Sequence, residues 1–248
     1  MSQPGRDILA AFRLALRIDA RCRWRETELL DDHDGDPAQV APTLRNLASI
    51  NRLLSGMPGL CARHIVRDPG VRTIVDLGAG GADLARWLSA RLRGAGGDVR
   101  IVCIDSDPRV VAYARRQCAS DPAISVEHGD VLDAGVVPDG ADWIICNHLL
   151  HHLDDRGVRA VLRMAHARAR RGFIFNDLVR SRLAAITFAC LGAVAFRGGV
   201  TLPDGVLSIG RALTIDELTV LVGDALPSVK GVTVARSGPG HLCVIARR

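Results

Sequence analysis

The sequence predicts an α/β protein: a doubly wound, mainly parallel sheet of seven strands with an antiparallel C-terminal strand pair and an N-terminal helical cap. Three observations carry this reading. From Val71 onward, short apolar runs alternate with amphipathic helical stretches, the pattern of a parallel sheet covered on both faces. A glycine cluster in "TIVDLGAGGADLARWL" (Thr73 to Leu88) follows the first of these runs and opens a helix, where such a sheet holds its ligand. The closing stretch "KGVTVARSGPGHLCVIARR" reads as two strands joined by a Gly/Pro turn. That turn leaves no room for a crossover helix, so the pair must be antiparallel.

Composition bounds the rest. The 248 residues fit one globular domain with a small appendage, and 48% apolar residues can fill a sizeable core. No apolar run reaches the roughly 20 residues needed to cross a bilayer, and Leu183 to Phe196 reads as a buried helix. The first residues show no signal-peptide pattern. Seven cysteines are scattered without a CxxC pair, which disfavours zinc ribbons and disulfide frameworks and suits small core residues in a reducing cytoplasm. The net charge of +5 rests almost wholly on arginine, with Lys230 the single lysine. These arginines are spread along the chain, a compositional pattern that suggests a GC-rich bacterial genome. Neither a nucleic acid nor a membrane is expected as partner.

Residues 1–70 read as the helical cap. "RDILAAFRLALRIDARCRWR" has apolar residues at helical spacing. An acidic break follows, "LLDDHDGDPAQ" (Leu29 to Gln39), which lacks the spaced ligands and closing Glu of a calcium loop and reads as a solvated loop. "VAPTLRNLASINRLLSG" resumes the helix until Gly56 and Pro58 stop it. Residues 71–248 form the main domain. Its strands are "RTIVDLG", "DVRIVCIDSD", "AISVEHGD", "ADWIICNH" and "GFIFNDL", with helices between them; Pro108 suits a first helical turn. "RALTIDELTVLVGDAL" is a helix with a capping box, Thr214 at the N-cap and Glu217 three residues on. An insertion at about 178–211 interrupts this rhythm. With the N-terminal helices it would form an apolar lid over an acceptor pocket; the alternative use of the same surface is a homodimer interface.

The carboxylates around the glycine turn indicate its ligand. Asp76 stands two residues before Gly78, where it would repel a pyrophosphate and welcome a cation. Asp105 ends the second strand and can accept from ribose hydroxyls. Asp130, in "HGDVLD", ends the third strand and can accept from an adenine amino group. A cation, a ribose and an adenine together describe S-adenosylmethionine.

On these motifs the chain resembles the class I S-adenosylmethionine-dependent methyltransferases. "VDLGAGGAD" is similar to their (D/E)xGxGxG motif, "CIDSDP" to the acidic ribose motif, "GDVLD" to the adenine motif, and "ADWIICNHLLHHLDD" to the fourth motif with the helix after it. The resemblance covers about Val71 to Arg248, with one departure, Ala82 in place of a third glycine. It implies that Asp76 and the Gly78, Ala79 and Gly80 backbone face the methionine part, and that Asp105 holds the ribose. It places Ser106 beside the adenine, Asp130 and the Val131 amide on the adenine edge, and Asn147 near the sulfonium. "ETELLDD", "LASINRLLSG", "NDLVRSRLA" and "LSIGRALTIDEL" resemble bacterial small-molecule methyltransferases that accompany type III polyketide synthases, which implies an aromatic or polyketide-derived acceptor.

Methyl transfer from a sulfonium is an in-line displacement in which the protein aligns donor and acceptor. A phenolic acceptor gains from a general base, and histidine is the usual choice. His148, His151 and His152 follow the fourth strand and are the catalytic candidates; on a helix, at most one of His151 and His152 would face the pocket. "LHHL" also serves such folds as helix-start packing, and a metal role for "HHLDD" is disfavoured because no second ligand cluster is visible. Asn176 and Asp177, at the exit of strand five, and Arg180 are the substrate candidates. Arg182 and Arg211 could likewise bind an acceptor carboxylate, and Asn51 with Arg52 could close over the cofactor. The acceptor's hydroxyl oxygen is the expected methylation site, with carbon methylation or a non-catalytic scaffold as alternatives.

Overall fold

The computed structural model describes residues 3–26, 28, 36–133, 135–195 and 201–248. Seven strands form one sheet: β1 (Thr73–Leu77), β2 (Arg100–Asp105), β3 (Ile124–His128), β4 (Ala141–Asn147), β5 (Ala169–Leu178), β6 (Val232–Gly238) and β7 (His241–Arg247). Their order is β3-β2-β1-β4-β5-β7-β6. The first five pair in parallel, and β7 inserts antiparallel between β5 and β6. The central strands are buried on both faces, so they read as continuous apolar runs rather than alternating ones. Strand order reverses at β1/β4, and at this switch point the C-terminal strand ends open a crevice.

Helices α4 (Asp83–Gly94), α5 (Pro108–Cys118), α6 (Asp155–Arg168) and α9 (Ile215–Ala225) cover the sheet. Their starts are written in the sequence. Asp107 caps α5 by accepting from the Arg109 amide at 2.7 Å, with Pro108 in the first turn. Asp154 caps α6 through the Gly157 amide at 2.7 Å. Thr214 and Glu217 close the expected capping box on α9. Two apolar clusters result. One, around Phe173, Phe175 and Leu162, lies under α6 and α9; the other, around Leu88, Ile74 and Trp143, lies under α4 and α5.

The N-terminal segment departs from the reading in one place. The helix expected through Arg25 ends early: α1 spans Gln3–Arg17. Arg182 Nε donates to the Ile18 carbonyl at 2.9 Å, and Arg180 Nη2 donates to the Ala20 carbonyl at 2.8 Å. Arginines thus satisfy carbonyls that another helical turn would have used. Of the acidic break Leu29 to Gln39, residues 29–35 lie outside the described residues, and Pro37–Gln39 form a 3-10 turn whose Ala38 amide donates to Asp36 Oδ1 at 2.9 Å. Helices α2 (Val40–Leu53) and α3 (Met57–Cys61) follow, the latter continuing into a π-helical turn, Ala62–Val66.

The insertion after β5 holds two helices, α7 (Arg182–Ala195) and α8 (Thr201–Arg211). The second was not expected in a stretch holding Pro203, Gly205 and Gly210. Pro203 is tolerated because it sits in the first turn. The glycines give room to aromatic rings: a Cβ at Gly205 would strike Phe188, and one at Gly210 would strike Trp24. Helices α1, α7 and α8 share an apolar cluster around Ile18, Leu202 and Val206. Helix α7, expected to be buried, is buried on one side only. Ala185 and Ala189 are inaccessible while Leu183 is 75% exposed, because Leu183 and Leu191 line the mouth of a cavity beneath the insertion. Among the described residues, no helix is long and apolar enough to cross a membrane.

Candidate active site

One cavity of about 760 Å³ runs from the glycine turn, along the C-terminal strand ends, to the underside of α7 and α8. Its size falls within the roughly 300–1,000 Å³ of small-molecule sites.

At its first end the β1–α4 turn takes three left-handed residues, Gly78 (φ 63), Gly80 (φ 54) and Ala82 (φ 55). A Cβ at Gly80 would meet open space, so this backbone faces the cavity bare. Ala82, the departure from the glycine motif, pays the left-handed cost while its methyl is fully buried against the core below α4. Asp105 Oδ2 accepts from the Gly80 amide at 2.9 Å, and Oδ1 accepts from the Asp107 amide at 3.1 Å. Asp76 is 2% exposed. Burial, and then the charges of Asp83 and Asp105, push its carboxyl well above the ordinary value. Burial likewise raises Asp83 and Asp105. Asp76, raised by the two neighbouring carboxylates, suits a cationic ligand, which would relieve that repulsion. Ser106, Asp130, Val131 and Asn147 also line this end, with Ala79 between the two glycines. Asp130 accepts from the Leu132 amide at 2.9 Å.

The cap reaches this end through α2. Asn51 Nδ2 donates to Asp83 at 3.3 Å, and Asn51 Oδ1 accepts from Asn147 Nδ2 at 3.0 Å. Arg52, its neighbour, is exposed and does not line the cavity.

The histidines meet at the middle. A short 3-10 turn, Leu150–His152, breaks into extended backbone at Leu153. His151 and His152 therefore both line the cavity, ring centroids 4.2 Å apart, where a regular helix would have separated them. His151 Nδ1 lies 2.6 Å from Asp177 Oδ1, and the His151 amide donates to Asp177 Oδ2 at 3.0 Å. An ionised carboxylate only accepts, so Nδ1 carries a proton, and Nε2 is the ring nitrogen turned away from Asp177, 3.5 Å from Glu28 Oε1. Burial opposes ionisation of Asp177, but the charge and hydrogen bond of His151 outweigh it and hold the carboxyl well below the usual range.

His148 behaves differently. It has left-handed backbone (φ 59), and its Nε2 lies 2.9 Å from His241 Nε2. His241 Nδ1 donates to the Pro239 carbonyl at 2.9 Å, which leaves its Nε2 as acceptor and puts the His148 proton on Nε2. Burial, followed by His241, pushes His148 down to about 3. With its Nε2 proton committed to His241 and its basicity lowered, His148 is a poor proton acceptor, although its sequence position makes it a candidate base.

The substrate candidates are corrected by burial. Asn176 is fully inaccessible; its Nδ2 donates to the Ser55 carbonyl at 3.0 Å and to Asn147 Oδ1 at 2.8 Å, so it braces the cap. Asp177 is 3% exposed and serves His151. Arg180 is 2% exposed and bonds the Ala212 carbonyl at 2.7 Å and Glu217 Oε1 at 2.5 Å. These three stand behind the cavity wall, whereas Arg182 is exposed, bonds the Ile18 carbonyl and does not line the cavity. Arg211 does line the cavity, its Nη1 3.7 Å from Glu28 Oε1. Glu28 and His241 went unnoticed in the sequence. Glu28 lies in "ETELLDD", to which the resemblance assigns no site role, and the chain path past α8 brings it here; His241 looks like an ordinary hairpin residue.

Residues 74–172 match the family model described as a methyltransferase domain. No curated protein matches the sequence. Among solved structures, the mitomycin 7-O-methyltransferase MmcR superposes with a TM-score of 0.65 at 20% identity, over 100% of this chain and 69% of that one. The O-methyltransferase NcsB1 from neocarzinostatin biosynthesis, solved with S-adenosylmethionine and 2-hydroxy-5-methyl naphthoic acid, gives 0.64 at 19% identity, over 98% and 70%. The plantazolicin methyltransferase BpumL gives 0.65 at 12% identity over 100% of both chains. At these identities the likeness is one of fold. The matched residues 74–172 contain the carboxylate-rimmed glycine turn, so that end of the cavity belongs to the part of the chain that matches a methyltransferase domain.

Proposed function

We propose that this enzyme methylates a hydroxyl oxygen of a small apolar or aromatic acceptor of the polyketide-derived kind. The observation that carries the reading is the single cavity. It joins a cation-seeking turn to an imidazole anchored through Nδ1 on Asp177, beneath the largely apolar α7 and α8. S-adenosylmethionine supplies the electrophilic methyl group. Asp76 and the Gly78, Ala79 and Gly80 backbone receive its methionine part, Asp105 its ribose, Ser106, Asp130 and Val131 its adenine, and Asn147 borders the sulfonium. His151, oriented by Asp177, is where the acceptor's hydroxyl is activated, with His152 beside it; Leu183, Phe188 and Leu191 contribute apolar walls. The hydroxyl chemistry agrees with the O-methyltransferases among the structural neighbours, one of them solved with a hydroxynaphthoic acid.

The test is calorimetric titration with S-adenosylhomocysteine beside NAD, followed by transfer of labelled methyl to a panel of aromatic hydroxyl compounds. Binding of the homocysteine compound alone, with label in a base-stable methyl ether, is expected. Label on carbon, or NAD binding, would refute the reading.

A further inference from the structure

Glu28, His151 and His152 converge in the cavity wall although Glu28 is far from the histidines in sequence. Glu28 Oε1 lies 3.5 Å from His151 Nε2 and 3.9 Å from His152 Nε2. The three ligand atoms fall within 4.8 Å of one another. Such separations are too long for good hydrogen bonds, which span about 2.7–3.2 Å. They approach the edge of a tetrahedron around an ion bound at 2.0–2.1 Å, about 3.4 Å. Glu28 is 6% exposed, and its Oε1 is buried without a hydrogen-bond partner. A buried charged oxygen in that state is costly unless something completes it.

We propose that Glu28, His151 and His152 form a binding site for a divalent transition-metal ion of the zinc class. Two imidazoles and one carboxylate are a ligand set for such ions, and three protein ligands leave a coordination position open. Here that position faces the acceptor's end of the cavity. The second shell is already built: Asp177 holds the His151 proton on Nδ1 and leaves Nε2 free to ligate. Arg211 stays 3.7 Å from Glu28 Oε1, its Nε and Nη2 turned to the carbonyls of His151 and His152. Taken with Arg211 alone, Glu28 and Asp177 leave one negative charge, so a divalent ion brings these groups to a single positive charge and an acceptor oxyanion brings them to neutrality.

The inference rests on the hydroxyl-methylation reading for its use, not for its geometry. With the ion present His151 is a ligand, and the acceptor's oxygen takes the open position. Its hydroxyl proton leaves to solvent. The oxygen then bonds to the methyl carbon as the carbon–sulfur bond breaks, giving the methyl ether and S-adenosylhomocysteine.

The experiment is titration of the chelator-treated full chain with zinc and with cobalt, beside Glu28→Gln and His152→Ala. Titration with S-adenosylhomocysteine monitors folding and the cofactor site in all three proteins. One zinc per chain is expected, with at least tenfold weaker binding in each variant. The cobalt spectrum should lack the thiolate band that exposed Cys22 or Cys190 would give. The homocysteine compound should bind all three proteins alike. Zinc that does not bind, or binds the variants equally, while the homocysteine compound still binds, overturns the metal site and leaves the cofactor reading intact. Zinc bound at the expected stoichiometry without the homocysteine compound supports the metal site and refutes the cofactor reading.

Discussion

Replacing Asp76 by Asn separates the stability of the glycine turn from its ligand affinity. Asp76 is 2% exposed, and burial together with Asp83 and Asp105 raises its carboxyl. A carboxyl raised in the folded state holds its proton longer there than in the unfolded chain. Stability is therefore greatest below the unfolded value and falls as pH rises from about 4 through the folded pKa. An amide has no charge to desolvate or repel. The ligand-free variant should gain about 1–3 kcal/mol at neutral pH, the scale of a buried uncompensated polar group. For a chain of this size that corresponds to a rise in Tm of about 2–4 °C per kcal/mol. Binding should move the other way. A carboxylate about 4–8 Å from a sulfonium or ammonium, at an effective dielectric near 20, contributes about 2–4 kcal/mol. Affinity for S-adenosylmethionine should fall about 30- to 700-fold. Thermal melts across about pH 5 to pH 8 and calorimetry read both effects, and the stability gap should widen with pH. A variant that melts below the wild type without ligand, or binds as tightly, would refute the assignment of a cation to this turn.

Other perturbations have distinct signatures. Asp177→Asn keeps the shape but removes the charge and replaces one of the two oxygens that hold the His151 ring and amide by an NH2 donor, so kcat should fall about 100- to 10,000-fold while S-adenosylhomocysteine affinity holds; unchanged turnover would remove His151 from the chemistry. Because Asp177 is depressed in the fold, its contribution to stability is present above about pH 4 and is lost as pH falls through the folded value. Acid melts of the wild type and the Asn variant should converge at low pH, and parallel curves would contradict this. Asp105→Ala removes the acceptor on the Gly80 amide and should weaken S-adenosylhomocysteine binding about 10- to 100-fold by calorimetry. Gly172→Ala drives a Cβ into the Ala246 carbonyl and against Trp143, and should cost about 2–4 kcal/mol in denaturant unfolding with little change in the cavity.

The sheet was legible because its signals are local: apolar runs of strand length, Pro108 and Thr214 at helix starts, and a hairpin too short for a crossover. The carboxylates at the ends of β1, β2 and β3 were legible because topology alone brings successive strand ends to one crevice. The acceptor side was not. Asn176, Asp177 and Arg180 stand where a strand exits toward the crevice, but β7 and the segment after α1 cover them, and no periodicity in β5 announces that cover. The pairing of His151 with His152 depends on a 3-10 turn ending at Leu153, a backbone choice that "LHHL" does not specify. Glu28 and His241 reach the cavity through long-range packing, and neither residue type nor spacing records it.

The two sides of the cavity are held by opposite physics. On the cofactor side, Asn147 and Asn176 are register partners on β4 and β5, and they extend one polar chain from Asp83 through Asn51 to Ser237, which meets Asn176 Oδ1 at 2.5 Å. Each amide here is both donor and acceptor, so the chain fixes α2 in one register; a slipped helix would strand several buried polar groups at once. The backbone agrees, since Gly56 just after α2 lies so close to the Ser237 carbonyl that no side chain fits between them. Over the proposed acceptor site, α1, α7 and α8 meet mainly through alanines, aliphatic side chains and a few aromatic rings, with Phe188 seated on Gly205 and Trp24 on Gly210. Apolar contacts can slide by a fraction of a turn at small cost, whereas a satisfied amide chain cannot. The acceptor wall is therefore the side able to adapt to its ligand, while the cap keeps the methyl donor's end of the cavity fixed relative to His151.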